Sequence, residues 1–436
     1  MGGLRSTIVL LVVAGGLAGY IYFVDADMAP AGVDTKPRVF VELSSDDIEE
    51  IQIRNDNDVT SRAQRIDERW QVVEPNTTEA DGGVVGTVTS NLVSLEVQRV
   101  VDENPADLAQ YGLNPARIDV AFRLKDQQDF QHLLVGDKTP TGADLFAKRP
   151  DESRVFLISS FLDLIFNKTP FDLRDKAVLK FDRDQAESIE VVGGSTHIQF
   201  ARNGTAWRIV TPIAARADYA ALEGLMTRLS STHMQEVVEP EADDLAAHGL
   251  DRPAMTATVT SGGSRATLLI GRADVGGRFA KDANRPEIFT VEESLLTDLA
   301  KGVAEYRNKD LFDARSFTAN RIETHRGDEA LAFEKSSDGE EVWRNAAGQT
   351  VDTAKVEDLL TKLSNLRAQS FEETTHASLK MPAVTVTIRF DSDRTETVTF
   401  GRSAIDVFAG RADEPGSARV DAMMFDEAVK AVDALR

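Results

Sequence analysis

The chain carries one passage three times. Its only tryptophans, Trp70, Trp207 and Trp343, lie 137 and 136 residues apart. Each sits in a similar phrase: Arg69-Trp70-Gln71-Val72-Val73, Ala206-Trp207-Arg208-Ile209-Val210 and Val342-Trp343-Arg344-Asn345. An amphipathic stretch follows each, then a Leu/Pro punctuation, then a strand closing on glycine at Gly136, Gly271 and Gly401. Solenoid units run to roughly 20–50 residues. Copies this long can each enclose a core of their own. The recurring tryptophans therefore read as repeat core rather than as stacking platforms for a ligand.

The copies agree strand by strand. Ile48, Ile51 and Ile53 open a strand that turns through Asn55-Asp56-Asn57-Asp58, and copy two turns at Asn203-Gly204, a strong hairpin signal. Helical stripes follow: Val84, Val88, Leu92 and Leu95; Leu222, Leu225, Met226 and Leu229; Val356, Leu359, Leu360, Leu363 and Leu366. Then come Tyr111-Gly112-Leu113-Asn114-Pro115 and His248-Gly249-Leu250-Asp251-Arg252-Pro253, where glycine caps a turn and proline bars its continuation. Copy three keeps only Leu379 and Pro382, with Ser378 in place of glycine, so the capped turn is expected to be lost there. Strict alternation in Ile118 to Leu124 and Val384 to Phe390 marks antiparallel sheet with one wet face. The class is α+β with antiparallel sheets.

At the N-terminus, Ile8 to Val24 holds no charge. It approaches the roughly 17–25 residues of a spanning helix. Arg5 before it and Asp25 and Asp27 after it orient the bulk outward, outside the cytoplasm. Cleavage near Ala29-Pro30-Ala31 as a signal peptide is the competing reading. The expected organisation is an anchor and tether over 1–38 and modules over 39–176, 177–313 and 314–436, the last reduced. The absence of cysteine excludes a thiol nucleophile, and a net charge of −23 argues against nucleic acid.

Motifs of chemistry are missing. The six histidines, His132, His197, His233, His248, His325 and His376, have no metal-binding spacing. No G-x-x-x-x-G-K-S/T phosphate loop or G-x-S-x-G elbow occurs. Neither a catalytic residue nor a cofactor or metal ligand is expected. Two basic triplets recur at module boundaries, Arg174-Asp175-Lys176 and Arg307-Asn308-Lys309. They are the candidate inter-module joint, since charges recurring at a boundary can pair across it. Solvated linker charges are the alternative.

The ordered series of Trp hairpin, amphipathic helix, Tyr/His-Gly-Leu turn with its proline, and strand closing on glycine resembles domain-of-unknown-function family 4340. The resemblance covers nearly all of the chain beyond the apolar segment, and copy three diverges most. It implies an anchored bacterial envelope protein, often encoded beside a gliding-motility-type auxiliary ABC transport component and its permease, with no established catalytic residues. The expected function is that of a non-enzymatic accessory protein, single-pass in the bacterial inner membrane with its bulk in the periplasm, a scaffold or ligand hand-over element whose partner is such a permease or auxiliary component. The alternatives are a periplasmic solute- or polymer-binding protein and an envelope hydrolase.

Overall fold

The computed structural model describes residues 36–336, 342–391 and 394–436. The chain divides into two compact units between Asp175 and Lys176. The first unit holds one module. The second holds two.

In module one, strands β1 (Ile48–Arg54), β2 (Thr60–Ile66), β3 (Arg69–Glu74) and β4 (Thr78–Glu79) step outward from mid-sheet. Helix α1 (Gly82–Val93) then carries the chain across one face to β5 (Arg99–Asp102) at the opposite edge. Strand β6 (Ile118–Leu124) returns beside β1, and β7 (Phe130–Lys138), β8 (Asp144–Lys148) and β9 (Val155–Ser159) fill the gap to β5. Short helices α2 (Leu162–Phe166) and α3 (Pro170–Leu173) close the module. Every pairing is antiparallel.

Module two repeats this order with β10 (Ala186–Gly193), β11 (Thr196–Asn203), β12 (Ala206–Thr211), β13 (Ala215–Arg216) and α4 (Tyr219–Ser231). It continues through β14 (Glu236–Glu239), β15 (Met255–Ser261), β16 (Ser264–Asp274), β17 (Gly277–Asp282) and β18 (Ile288–Val291). Helices α5 (Glu293–Leu299) and α6 (Val303–Tyr306) end it. Module three has β19 (Ala319–Arg326), β20 (Glu329–Lys335), β21 (Trp343–Asn345), α7 (Thr353–Ser364) and β22 (Ala368–Glu372). Then follow β23 (Val384–Phe390), β24 (Arg394–Ser403), β25 (Asp406–Arg411), β26 (Ser417–Val420) and α8 (Ala422–Asp433). Among the described residues its sheet lacks a counterpart of β4 and β13 and has eight strands where the others have nine.

The long helix of each copy starts on an aspartate. Asp81 accepts hydrogen bonds from the amides of Gly83 and Val84, Asp218 from Ala221, and Asp352 from Ala354. Such caps occupy amides that the first helical turn leaves unpaired. Because the helix crosses the sheet from edge to edge, its apolar stripe is buried along its length: Val85, Val88 and Leu92 in the first copy, and Val356, Leu359, Leu360 and Leu363 in the third.

The other sheet face is plugged by the Tyr/His-Gly-Leu turn. Leu113 packs with Ala116 and Val155, and Leu250 packs with Phe279 and Ile288. The recurring glycines do not end their strands, which run two or three residues further. They mark where that turn lies against the sheet. A β-carbon on Gly136, Gly271 or Gly401 would collide with the carbonyl of Tyr111, His248 or Ser378. The turn expected to be missing from copy three is therefore present, as Ala377–Lys380, with His376 capping it through Ser378. Without glycine it exits at Met381 with a negative φ of −126°, whereas Gly112 and Gly249 leave at φ 67°.

The membrane expectation is overturned as well. Among the described residues no helix is long and apolar enough to cross a membrane. The longest, α4, has 13 residues and a single buried stripe, against roughly 20 apolar residues for a span. The spanning helix expected over Ile8 to Val24 lies outside the described residues. The architecture is corrected to three antiparallel sheets with crossing helices, and the single-pass inner-membrane placement that rested on the span is withdrawn with it.

Candidate functional site

The residues that recur are engaged in scaffolding. Each tryptophan sits opposite a cation in its hairpin: Trp70 opposite Arg65, Trp207 opposite Arg202, Trp343 opposite Lys335. Trp207 and Trp343 are buried, while Trp70 is half-buried beneath the Arg65 guanidinium, 5.2 Å from its ring. Tyr111, His248 and His376 pack on Phe146, Phe279 and Phe408, with ring centres 5.0, 4.5 and 3.7 Å apart. The Tyr111 hydroxyl reaches Asp102 at 3.3 Å, and His248 Nε2 lies 2.8 Å from Glu239. Asn55, in the acidic turn, accepts the amides of Asn57 and Val59.

Buried charge gathers at the joint of modules two and three. The chain leaves α6 at Arg307 and enters module three at Lys309, whose carbonyl accepts the Ala368 amide; Leu311 and Phe312 already belong to the third core. That joint is built from buried charge. Arg216 Nε donates to Glu414 Oε1 at 2.7 Å, its Nη2 donates to the Asp310 carbonyl at 2.6 Å, and its Nη1 pairs with Asp313. Arg307 Nη2 donates to the second Glu414 oxygen at 3.0 Å, and its guanidinium lies 3.9 Å from the centre of the Phe371 ring. The Glu414 side chain is 4% exposed. Two arginines of module two thus clamp one carboxylate of module three.

Behind them, Glu396 accepts the amides of Asp313 and Ala314 at 2.9 and 2.8 Å and pairs with Arg411 at 2.9 Å. Burial by itself would lower the Arg411 pKa, but its hydrogen bonds to Asp413 and Glu396 outweigh this and raise it. Burial likewise works to raise the Asp413 carboxyl, and Arg411 beside it holds it below the usual carboxylate value.

The other expected joint residues are held as follows. Asn308 bonds its amide to the Arg216 carbonyl and caps Asp310 with its side chain. Lys309 contributes its carbonyl. Arg174 forms a bridge to Ala80 and reaches Thr78 Oγ1 at 3.4 Å, and the Asp175 amide bonds to Glu79, all within the first unit. Lys176 opens the second unit, its carbonyl accepting the Met234 amide.

Arg216, Glu414, Glu396 and Arg411 were not found from the sequence, because their counterparts differ from copy to copy: register places Arg149 and Glu152 in module one, but Asp282 and Arg285 in module two, where Arg411 and Glu414 stand. Glu79 holds the place of Arg216, since the amides of Asp175 and Asn308 bond to these two carbonyls. Strand register equates Asp282 with Arg411, so Arg285 stands where Glu414 does. The ion pair across this corner is Asp282–Arg285 at 3.2 Å in module two and Arg411–Glu414 at 3.7 Å in module three. Either way an arginine reaches the opening strand: Arg285 donates to the Val178 carbonyl, Arg411 to that of Leu311. Aligning the copies by charge sign as well as by apolar pattern would have exposed the reversal.

Above the clamp opens a cleft of about 880 Å³, walled by Trp207, Arg208 and Tyr219 on one side and Phe390, Arg394 and Asp413 on the other. Its size falls within the roughly 300–1,000 Å³ of small-molecule sites.

No curated protein matches the chain. One family model does match, over residues 70–206 and 207–385, and the first residue of each matched stretch is a tryptophan, Trp70 or Trp207. Those two stretches cover more than two thirds of the 436 residues. With its repeated sheet, crossing helix and plugged back face, the chain belongs to the family described as Domain of unknown function (DUF4340).

Proposed function

We propose that this protein is a non-enzymatic accessory protein that works by contact, as a scaffold or ligand hand-over element of an ABC-type transport system. The observation that supports this reading best is the Arg216–Glu414–Arg307 clamp, which couples two modules into one body bearing a cleft. A body so built presents a fixed surface, and its recurring residues are taken up by packing, caps and turns. The transport setting comes from the family resemblance, and the partner class is an ABC-type permease or its auxiliary component. A second reading, binding of a solute, is favoured by the cleft itself.

The test is affinity purification of the full chain from its native cells in mild detergent, followed by identification of the proteins retained. Wild type should retain an ABC-type component. Glu414→Arg should lose it while each sheet keeps its circular-dichroism signal. Retention of unrelated proteins alone, or turnover of an envelope polymer by the purified chain, would overturn the reading.

A further inference from the structure

We infer that the cleft between the second and third modules is a binding site for a small anion, a carboxylate- or phosphate-bearing molecule held by Arg208 and Arg394. The inference rests on the reading above that this two-module body acts by binding. A net charge of −23 repels anions over most of the molecule. The cleft departs from that. Its charged walls comprise Arg208, Arg216, Arg394 and Arg411 against Asp313, Glu396 and Asp413.

The acids are already committed. Asp313 pairs with Arg216, Glu396 holds two amides and Arg411, and Asp413 pairs with Arg411 at 2.9 Å. Two of the arginines, Arg216 and Arg411, are committed to them in turn. Arg208 is not. It is half-buried, stands beside Arg216 in the β12–β13 ladder, and its side chain makes no hydrogen bond or ion pair among the described residues. Arg394 is loosely held, 3.4 Å from Asp313 and 3.6 Å from Asp391, and 61% of its side chain is exposed.

The other copies lack this arrangement. The counterpart of Arg208 is the neutral Gln71 in module one, next to Glu79, and in module three it is Arg344, which donates to the Gly348 carbonyl at 3.1 Å. An unengaged guanidinium lining a cleft offers a planar fork of donors that matches a carboxylate or phosphate. Tyr219, 66% exposed at the rim, adds a ring face and a hydroxyl.

The experiment is calorimetric titration of the full chain with citrate, with inorganic phosphate and with spermidine as the cationic control. Saturable binding of citrate alone identifies a carboxylate ligand, and of phosphate alone a phosphate ligand. Spermidine should not compete. Arg208→Gln should weaken the anion by about tenfold or more, as loss of a charge-assisted bidentate contact does. Arg208→Lys should retain part of the affinity, and Arg65→Gln, far along the sequence in module one, all of it. The melting temperature of Arg208→Gln should stay at the wild-type value, since its side chain gives up no partner. Absence of binding by both anions up to about 10 mM, a range weaker than most ligand sites, would overturn the inference. So would affinity that survives Arg208→Gln, or unfolding of that variant, because an arginine that holds the fold is not free for a ligand. Partner retention measured in parallel separates the two proposals: a chain that binds no anion yet keeps its ABC-type component loses only this inference.

Discussion

Glu414 receives two guanidinium groups in a joint where its own side chain is 4% exposed and Arg307 is 5% exposed. Replacing a buried ion pair wholesale can cost nothing, whereas removing one partner leaves uncompensated charge and costs about 3–5 kcal/mol. Glu414→Ala takes from Arg307 its carboxylate partner and leaves Arg216 with the Asp313 carboxylate alone. It should destabilise the second unit by about that amount in a urea titration, while Glu239→Ala, on the edge strand of module two, should cost far less. Acid acts on the same joint through Asp413, whose folded pKa is depressed below the ordinary 3.8. A depressed carboxylate contributes its stability above the unfolded value and loses it as pH falls through the folded one. Melting followed between pH 5 and pH 2 should therefore show this contribution intact above about 4 and lost below it, and Asp413→Asn should flatten that part of the profile. At this scale the sequence was only partly legible. Arg307 announced itself by recurring in a basic triplet, but Arg216 answers to Glu79, and Glu414 answers to Glu152 in module one yet to Arg285 in module two, so a search for likeness passes over residues whose charge reverses between neighbouring copies.

Among the elements, the contact between the back-face turn and the sheet is the most exacting. Gly271 passes beneath the His248 carbonyl with no space for a side chain. Gly271→Ala must lift the turn and with it Leu250 and His248 from Phe279, and overpacking of this kind costs about 1–3 kcal/mol. Thermal unfolding checks the cost. Hydrogen exchange should show the loss of protection at the Gly249 and Leu250 amides, which bond to the Ala246 and Leu245 carbonyls. The crossing helices and the alternating strands were readable because apolar period reports directly on burial. The two-residue strands β4 and β13 were not, being too short to alternate. The turn in module three escaped because Ser378 removes the glycine signal, although the same close approach to Gly401 is kept. Bulges also left no trace in the pattern, yet one falls at the same place in all three sheets, at Ile48/Glu50, Ala186/Ser188 and Ala319/Arg321.

For the molecule as a whole, the second unit should behave as a single cooperative body. Its two modules share buried ion pairs, so calorimetry of the fragment 176–436 should give one transition, and Glu414→Arg should split it into two. The family matches run out of phase with this unit. Each begins at a tryptophan on the third strand of one sheet and continues into the first strands of the next. A break at 206/207 leaves Ala206 with β11 and parts β11 from the rest of β12, to which it is paired from Gln199/Thr211 to Arg202/Trp207. A protease or a truncation acting there would leave one product with an unsatisfied sheet edge and the other with a tryptophan hairpin reduced to a single arm. The stretch 207–385 should accordingly be recovered from inclusion bodies and 176–436 from the supernatant, so that the span over which the lineage keeps its resemblance is not a span that can be lifted out whole.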